Sequence, residues 1–291
     1  MIRRLKHHEI NFSKYNTCLA NSSQQNFYAR QEILDHLSPR WELLIYGDYE
    51  YVMPVPVVRK YFIQWAIMPL FCQQLGISGP KPNPEIELLF FKALKEKFRI
   101  VYYAFHHSNQ ILDLESKRNY SIPAGDYNQI RKLYYKGRKS AVKKAQHLCF
   151  KEVKLSQALP FIELNFKGLA KQKDKLKLKK YLHYLQNISL LRTVAALHED
   201  KIIAAATLLI TGDTVFLLSL MDSEEHRKHN ASAFIIDMLL QQYSATHTFN
   251  FMGSVLPGVE SFFKSFGSVC QPYSVLRYTK KELLLNLLLK R

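Results

Sequence analysis

Residues 214–243 read TVFLLSLMDSEEHRKHNASAFIIDMLLQQY, and the order of character within them sets the reading of the whole chain. Thr214 to Met221 is an apolar run of strand length, and Asp222 to Ser232 is short and polar. Ala231 to Tyr243 is a helix apolar on most faces, as a helix enclosed in a core is. A strand that enters a buried helix through a short polar loop leaves backbone N–H groups pointing outward, and the helix dipole favours an anion there. The loop reads Arg227-Lys228-His229-Asn230-Ala231-Ser232. Asn tolerates a left-handed backbone and Ser caps helices, so the turn is sound, while each Cβ limits how closely a phosphate approaches.

Outward from this stretch, Leu190–Leu197 and Lys201–Ile210 read as strands separated by turns at Glu199-Asp200 and Thr211-Gly212-Asp213. Thr248–Met252 is a strand, Gly258–Phe266 a short helix and Gln271–Tyr278 a final strand. Upstream lie a strand at Asn119–Ile122, a basic helix over Asp126–His147 and a helical region over Ser156–Gln186. The first half shows the same order. A strand near Ile2–Leu5 leads to a helix capped at Ser22 or Ser23 that carries Phe27, Ile33, Leu34 and Leu37. Strands follow at Trp41–Tyr46, Glu50–Arg59 and Phe62–Phe71, then a helix at Glu85–Phe98 and a strand at Ile100–Phe105. Pro54 and Pro56 place the middle strand at an edge or a bulge, because proline cannot donate to a ladder. Lys280–Arg291 reads as a terminal helix packed by its leucines. The repeated order predicts an α/β (α+β) protein of two tandem domains, residues 1–115 and 116–291, with the junction between 106 and 124. Each is a mixed, mainly antiparallel sheet flanked by helices.

Two segments carry a family resemblance. The loop at Arg227 resembles the pyrophosphate-binding loop of GNAT acyltransferases, an Arg or Gln followed at fixed offsets by glycines, with Asn230 and Ser232 standing where those glycines would be. Phe249-Asn250-Phe251-Met252-Gly253-Ser254, followed by Gly258-Val259-Glu260-Ser261-Phe262-Phe263-Lys264-Ser265-Phe266-Gly267, resembles the closing segment of Fem-type peptidoglycan aminoacyltransferases. The helix holding Lys136-Gly137-Arg138-Lys139 and Lys143-Lys144-Ala145 is similar to the basic helix that opens their second domain. The resemblance implies two GNAT-like (acyl-CoA N-acyltransferase) domains, the first degenerate, and transfer of an acyl or aminoacyl group to an amine. The donor implied is acetyl-CoA or another acyl-CoA, or an aminoacyl-tRNA, lying against Leu220, Met221, Arg227, Asn230, Ala231, Ser232 and Ala233. Ser156–Gln186 is shorter than the helical arm of the long Fem enzymes.

Acyl transfer of this kind needs an amine positioned beside a thioester or ester and stabilisation of the oxyanion that develops, with no covalent nucleophile. Lys264, which looks like the lysine of the Fem closing helix, is the candidate for positive charge at the reacting carbonyl, Tyr273, placed where GNAT-type sites use a phenol, for protonating the leaving group, and Glu260 or Asp222 for deprotonating the acceptor amine. Lys136, Lys139 and Lys143 fall at helical spacing with Arg138 nearby, and with the Gly253-Ser254 turn they form the candidate surface for an acceptor such as a cell-wall-precursor amine.

Composition sets outer limits. Hydrophobic residues make up 47%, including 17 Tyr and 18 Phe, enough apolar surface to exclude extended disorder. The net charge is +17, and residues 131–180 hold 16 Lys and Arg against Glu152, Glu163 and Asp174. Such a field attracts an anionic nucleotide, tRNA or a membrane surface, or else is a solvated face. A non-catalytic module on a GNAT-like fold and a basic nucleic-acid-binding protein are the alternatives to an enzyme. No signal peptide or membrane span is legible, so the chain reads as cytoplasmic. Cys18, Cys72, Cys149 and Cys270 are scattered, and His106-His107 and His226 with His229 have no carboxylate or Cys at ligand spacing, so no metal is expected.

Overall fold

A computed structural model describes residues 1–24, 26–60, 62–166, 168–253, 258–279 and 281–283. The chain divides into two units, one of Met1–Arg118 together with the segment from Pro272 onward, the other Asn119–Gln271. The element order predicts a single division at 115/116 with everything after it in one domain, whereas the segment from Pro272 onward returns to the first unit.

The first unit comprises β1 (Arg3–Leu5), α1 (Phe12–Ala20), α2 (Gln31–Leu37), β2 (Trp41–Tyr46), β3 (Tyr51–Lys60), β4 (Ile63–Ile67), α3 (Pro84–Lys97) and β5 (Arg99–Ala104). β1 to β4 pair antiparallel in sequence order, and β4 then pairs parallel with β5 across the α3 crossover. The returning segment Val275–Arg277 adds antiparallel to Tyr102–Ala104. Helix α1, absent from the sequence reading, begins at Asn11, whose side chain accepts from Lys14 N. No cap forms at Ser22 or Ser23. Asn26 caps a 3-10 turn at Phe27–Ala29 instead, and the continuous helix expected there shrinks to α2. Pro54 and Pro56 stand opposite Leu43 and Trp41 on β2, whereas β4 pairs only from Val57 onward. The prolines thus occupy the stretch of β3 that has β2 on one flank and no β4 on the other, where two missing N–H groups cost no ladder bond.

The second unit comprises the end of β6 (Glu115–Ile122), α4 (Tyr127–Lys132), α5 (Lys136–Lys144), β7 (Cys149–Glu152), α6 (Leu155–Asn165), α7 (Gln172–Asn187), β8 (Leu191–His198), β9 (Lys201–Thr211), β10 (Thr214–Asp222), α8 (Ala231–Tyr243), β11 (Thr248–Met252), α9 (Val259–Lys264) and the start of β12 (Val269–Arg277). Its strands run in the order β6-β11-β10-β9-β8-β7. Pairing is antiparallel except between β10 and β11, the pair joined through α8. Three antiparallel strands, a crossover helix and a parallel strand therefore occur in both units, the duplication expected from element order. Buried Ala204, Ala206, Val215, Ile235, Ile236, Leu239 and Phe249 form the heart of this core.

The basic helix expected over Asp126–His147 is broken into α4 and α5 around Leu133–Tyr135. Tertiary contacts cause the break. Tyr135 N donates to Ser265 O at 2.9 Å, the ring of buried Tyr134 meets Phe266 edge-on at 5.1 Å, and Gly267 sits so close to Leu133 that an added Cβ would come within 2.5 Å of its Cβ. The helix expected at Lys280–Arg291 lies outside the described residues except for the helical Lys281–Leu283.

Candidate functional site

The crossover from β10 to α8 begins at a parting of strands. β10 and β11 pair at Thr214↔Thr248, Val215↔Phe249 and Phe216↔Asn250, after which β10 runs on to Asp222 and no further pair joins the two among the described residues. A bulge between Leu217 and Ser219 takes Leu218 out of the β9 register at the point where the strands separate. Bulges bend a strand and redirect its backbone groups. Ser219 and Thr207 face each other behind it, their hydroxyls 2.7 Å apart and buried.

The loop from the tip of β10 leans toward β9, with Ser223 N bonded to Ile203 O at 3.0 Å. It then closes on itself. His226 N reaches Ser223 O, His229 N reaches His226 O and Asn230 N reaches Arg227 O, at 3.2, 3.0 and 3.1 Å. Asn230 then turns left-handed, at φ 57° and ψ 33°, and makes no side-chain cap. The first intrahelical bond starts at Phe234 N, leaving the amides of Ala231, Ser232 and Ala233 with no acceptor among the described residues. No acid occupies the first turn of α8, and exposed Arg227 and Lys228 stand in the turn before it. Unbonded N–H groups, the positive end of a 13-residue dipole and two cations together suit a phosphate.

Of the other residues singled out on this crossover, Met221 is buried on β10 and Leu220 is half-buried beside it. Arg227 makes a long pair with Glu224 at 3.6 Å. Phe234 belongs to the core, its ring 6.5 Å from that of Phe150. Gly253 is exposed, and Ser254 lies outside the described residues.

Glu260 and Lys264 form an i,i+4 pair along α9 at 2.5 Å, and the Tyr120 hydroxyl donates to the same Glu260 oxygen at 2.8 Å. The Lys264 ammonium lies 5.7 Å from the centre of the Tyr120 ring. The hydrogen bond to Glu260 raises the lysine pKa. Burial, and then the bond to Glu260, raise that of Tyr120. Lys264 is therefore a held cation, whereas Glu260 already accepts two hydrogen bonds that a free base would lack. Tyr273 falls in the first unit, where burial first and the neighbouring Tyr102 next push its phenol up. Tyr120, on the strand that flanks β11, was missed by the sequence reading because nothing local marks it.

On α5, Lys136, Lys139 and Lys143 are exposed, as their spacing requires. Arg138 is not part of that face. Its guanidinium is half-buried over Phe262 and Phe266, 4.3 and 4.7 Å from their centres, and Nε donates to Ser265 Oγ at 2.8 Å. Burial lowers its pKa. Arg138 thus fastens α5 to α9, a packing role that removal of the charge would expose. Separately, His147, His198 and His229 come together although 82 residues separate the first from the last. Sequence spacing gives no hint of this cluster.

Fold and crossover together define a protein with two α/β units of GNAT-type fold in tandem, of which the second enters its crossover helix with unbonded amides. No family model matches the chain, and no curated protein sequence matches it. Among solved structures, that of FemX is similar over 97% of this chain and 99% of its own, with a TM-score of 0.66 and 10% identity. A conserved protein of unknown function from Bacteroides thetaiotaomicron VPI-5482 aligns over 92% of this chain and 98% of its own, at TM-score 0.57 and 12% identity. A tandem GNAT protein from the clavulanic acid biosynthesis pathway aligns over 94% and 97%, at TM-score 0.52 and 9% identity. At these identities the likeness is one of fold, and the fold is that of tandem GNAT and Fem-type proteins. Among the described residues no helix is long and apolar enough to cross a membrane.

Proposed function

We propose that the second unit transfers an acyl or aminoacyl group to an amine, with the phosphate-bearing end of the donor held at the first turn of α8. The observation that carries this reading is that the Ala231, Ser232 and Ala233 amides have no acceptor among the described residues, beside a parted, bulged pair of parallel strands. In this reading a pantetheine-like arm or the 3′ end of a charged tRNA lies where β10 and β11 part and a strand edge offers backbone groups, while α8 takes the phosphates. Lys264, fixed by Glu260 and Tyr120, supplies positive charge near the end of β11. The acceptor amine reaches the carbonyl already deprotonated or loses its proton through water, since Glu260 is engaged. The likeness to FemX and to a tandem GNAT protein supports this class of chemistry and leaves acyl-CoA and aminoacyl-tRNA as the two donors to test.

Calorimetry on the full chain with CoA, acetyl-CoA, longer acyl-CoA thioesters and charged and uncharged tRNA tests the reading. Saturable binding of one class, displaced by the phosphate-bearing portion of that donor alone, is the expected result. No binding by any member of the panel would remove it. One observation favours a binding module without chemistry, the engagement of Glu260. Donor binding without turnover across a panel of amines would establish that second reading.

A further inference from the structure

The three histidines that the fold assembles come from three separate segments: His147 just after α5, His198 at the end of β8, and His229 in the turn that enters α8. One ligand nitrogen from each ring can be chosen so that the three lie within 4.8 Å of one another. His147 Nε2 is 2.9 Å from His229 Nδ1, and the His198 and His229 rings are 4.4 Å apart between centres. A further contact fixes which nitrogen of His147 faces the cluster. Its Nδ1 is 2.9 Å from Lys144 O. A carbonyl only accepts, so Nδ1 carries the proton and Nε2 presents its lone pair to the other two rings.

From this geometry we infer that His147, His198 and His229 form a binding site for a divalent transition-metal ion of the zinc class. Tetrahedral coordination with metal–nitrogen bonds of about 2.0–2.1 Å separates ligand nitrogens by roughly 3.3 Å, so the three donors close on an ion by side-chain rotation alone. A water or an outside ligand completes the fourth position, as in three-histidine sites generally. The surroundings select against hard cations. Arg227 and Lys228 precede His229 and Lys201 pairs with His198, while the cluster contains no carboxylate. Glu199 and Asp200 follow His198 in the turn, but none of the three ligands is a carboxylate, so the site binds through imidazole coordination, which suits Zn²⁺, Co²⁺, Ni²⁺ or Cu²⁺ and disfavours Mg²⁺ and Ca²⁺. The bound ion ties the turn before α8 to the end of α5 and to the β8–β9 hairpin, fixing the conformation in which the Ala231–Ala233 amides have no acceptor among the described residues. The site stands whether or not a donor binds at α8.

The test uses the untagged full chain, stripped with chelator and titrated calorimetrically with Zn²⁺, with Mg²⁺ as the control. One Zn²⁺ per chain is expected at a Kd of about 10 µM or tighter, with no heat from Mg²⁺. His147→Ala, His198→Ala and His229→Ala should each weaken binding about tenfold or more, and Cys149→Ser and His183→Ala should leave it unchanged. Zn²⁺ should also raise the melting temperature of the wild-type chain and fail to do so in the three variants. Paramagnetic Co²⁺ gives a readout that needs no variant, since the shifted imidazole signals should be those of these three residues. Affinity weaker than about 1 mM, affinity unmoved by all three substitutions, or Co²⁺ shifts on other histidines would overturn the site.

Discussion

The loop that enters α3 and the loop that enters α8 join the same kinds of element, a strand and a helix whose following strand lies parallel, yet they spend their polar groups in opposite ways. Before α3, residues 74–79 are all buried. Leu75 N bonds Ala104 O on β5, and Ser78 exchanges both backbone bonds with Val52 on β3. The loop therefore fills the gap beyond the end of β4, where the sheet would otherwise part. Asn109 seals it by accepting from Ile77 N and donating to Ile77 O, and Tyr103 accepts from Gly76 N. The first turn of α3 is likewise consumed. Pro84 has no N–H, Asn83 accepts from Glu85 N and Ile86 N, and the first turn carries two acids, Glu85 and Glu87, which disfavour an anion there. Before α8, no residue from Ser223 to Asn230 is buried, the cap is missing and the first turn has no acid. A helix N-terminus is thus left without hydrogen-bond acceptors in one unit and consumed as a structural joint in the other, decided by side chains at a few positions.

The largest expected effect comes from breaking the filled side of this comparison. Gly76 has φ 85°, and a Cβ there would meet Asn109 Oδ1 at 2.1 Å and His106 N at 2.6 Å. Gly76→Ala should cost about 2–4 kcal/mol through backbone strain and overpacking. Both tryptophans, Trp41 and Trp65, lie in the first unit, so denaturant unfolding followed by their fluorescence reads that unit directly. An unchanged midpoint would mean that the loop does not fill the gap as described.

Next in size is the open side. Ser232→Asp places a carboxylate in the first turn of α8, which favours the helix by about 0.3–1 kcal/mol while repelling a phosphate. Donor binding should weaken about tenfold or more with no loss of melting temperature, the separation expected of a ligand site and not of a packing defect. Equal donor affinity in wild type and variant would place the phosphates elsewhere.

The smallest effect contrasts two buried acids, one on each crossover helix. Burial is the leading cause that raises the pKa of both Glu87 and Asp237. An acid whose pKa is higher in the folded state stabilises the fold fully below its unfolded pKa and loses that contribution as pH rises through the folded one. Asp237 accepts from the Tyr127 hydroxyl at 3.0 Å. A hydroxyl can rotate to accept from an amide, so Asp237→Asn should change stability by less than about 1 kcal/mol at neutral pH. It should also flatten the decline in stability between acidic and neutral pH. Glu87 faces two fixed donors, Asn109 Nδ2 at 3.2 Å and Gln110 N at 2.6 Å. An amide nitrogen cannot serve the second, and Glu87→Gln should cost about 1–2 kcal/mol. Melting curves from pH 4 to 8 on the two variants check the pair.

Much of this was legible beforehand. β2, α8 and β11 coincide with or lie within a residue of where apolar runs and turn residues put them, since strand alternation and an all-round apolar helix are local patterns. The open turn at Arg227–Ser232 was legible too, for a polar loop before a buried helix is read from neighbours in sequence. Other features were not local. Arg138 reads as one more cation on a basic helix until Phe262 and Phe266 are seen beneath it.

The amino-acid order by itself determined two units of one kind and which of them carries an unfilled helix start, because periodicity, capping residues and charge act over a few positions. Tertiary structure alone decided that residues 74–79 fill the first unit's gap, that Ser265–Gly267 break the basic helix, and that His147, His198 and His229 meet. Each of these depends on contacts between segments distant along the chain, whose distances are set by how whole elements pack and not by any spacing a sequence displays.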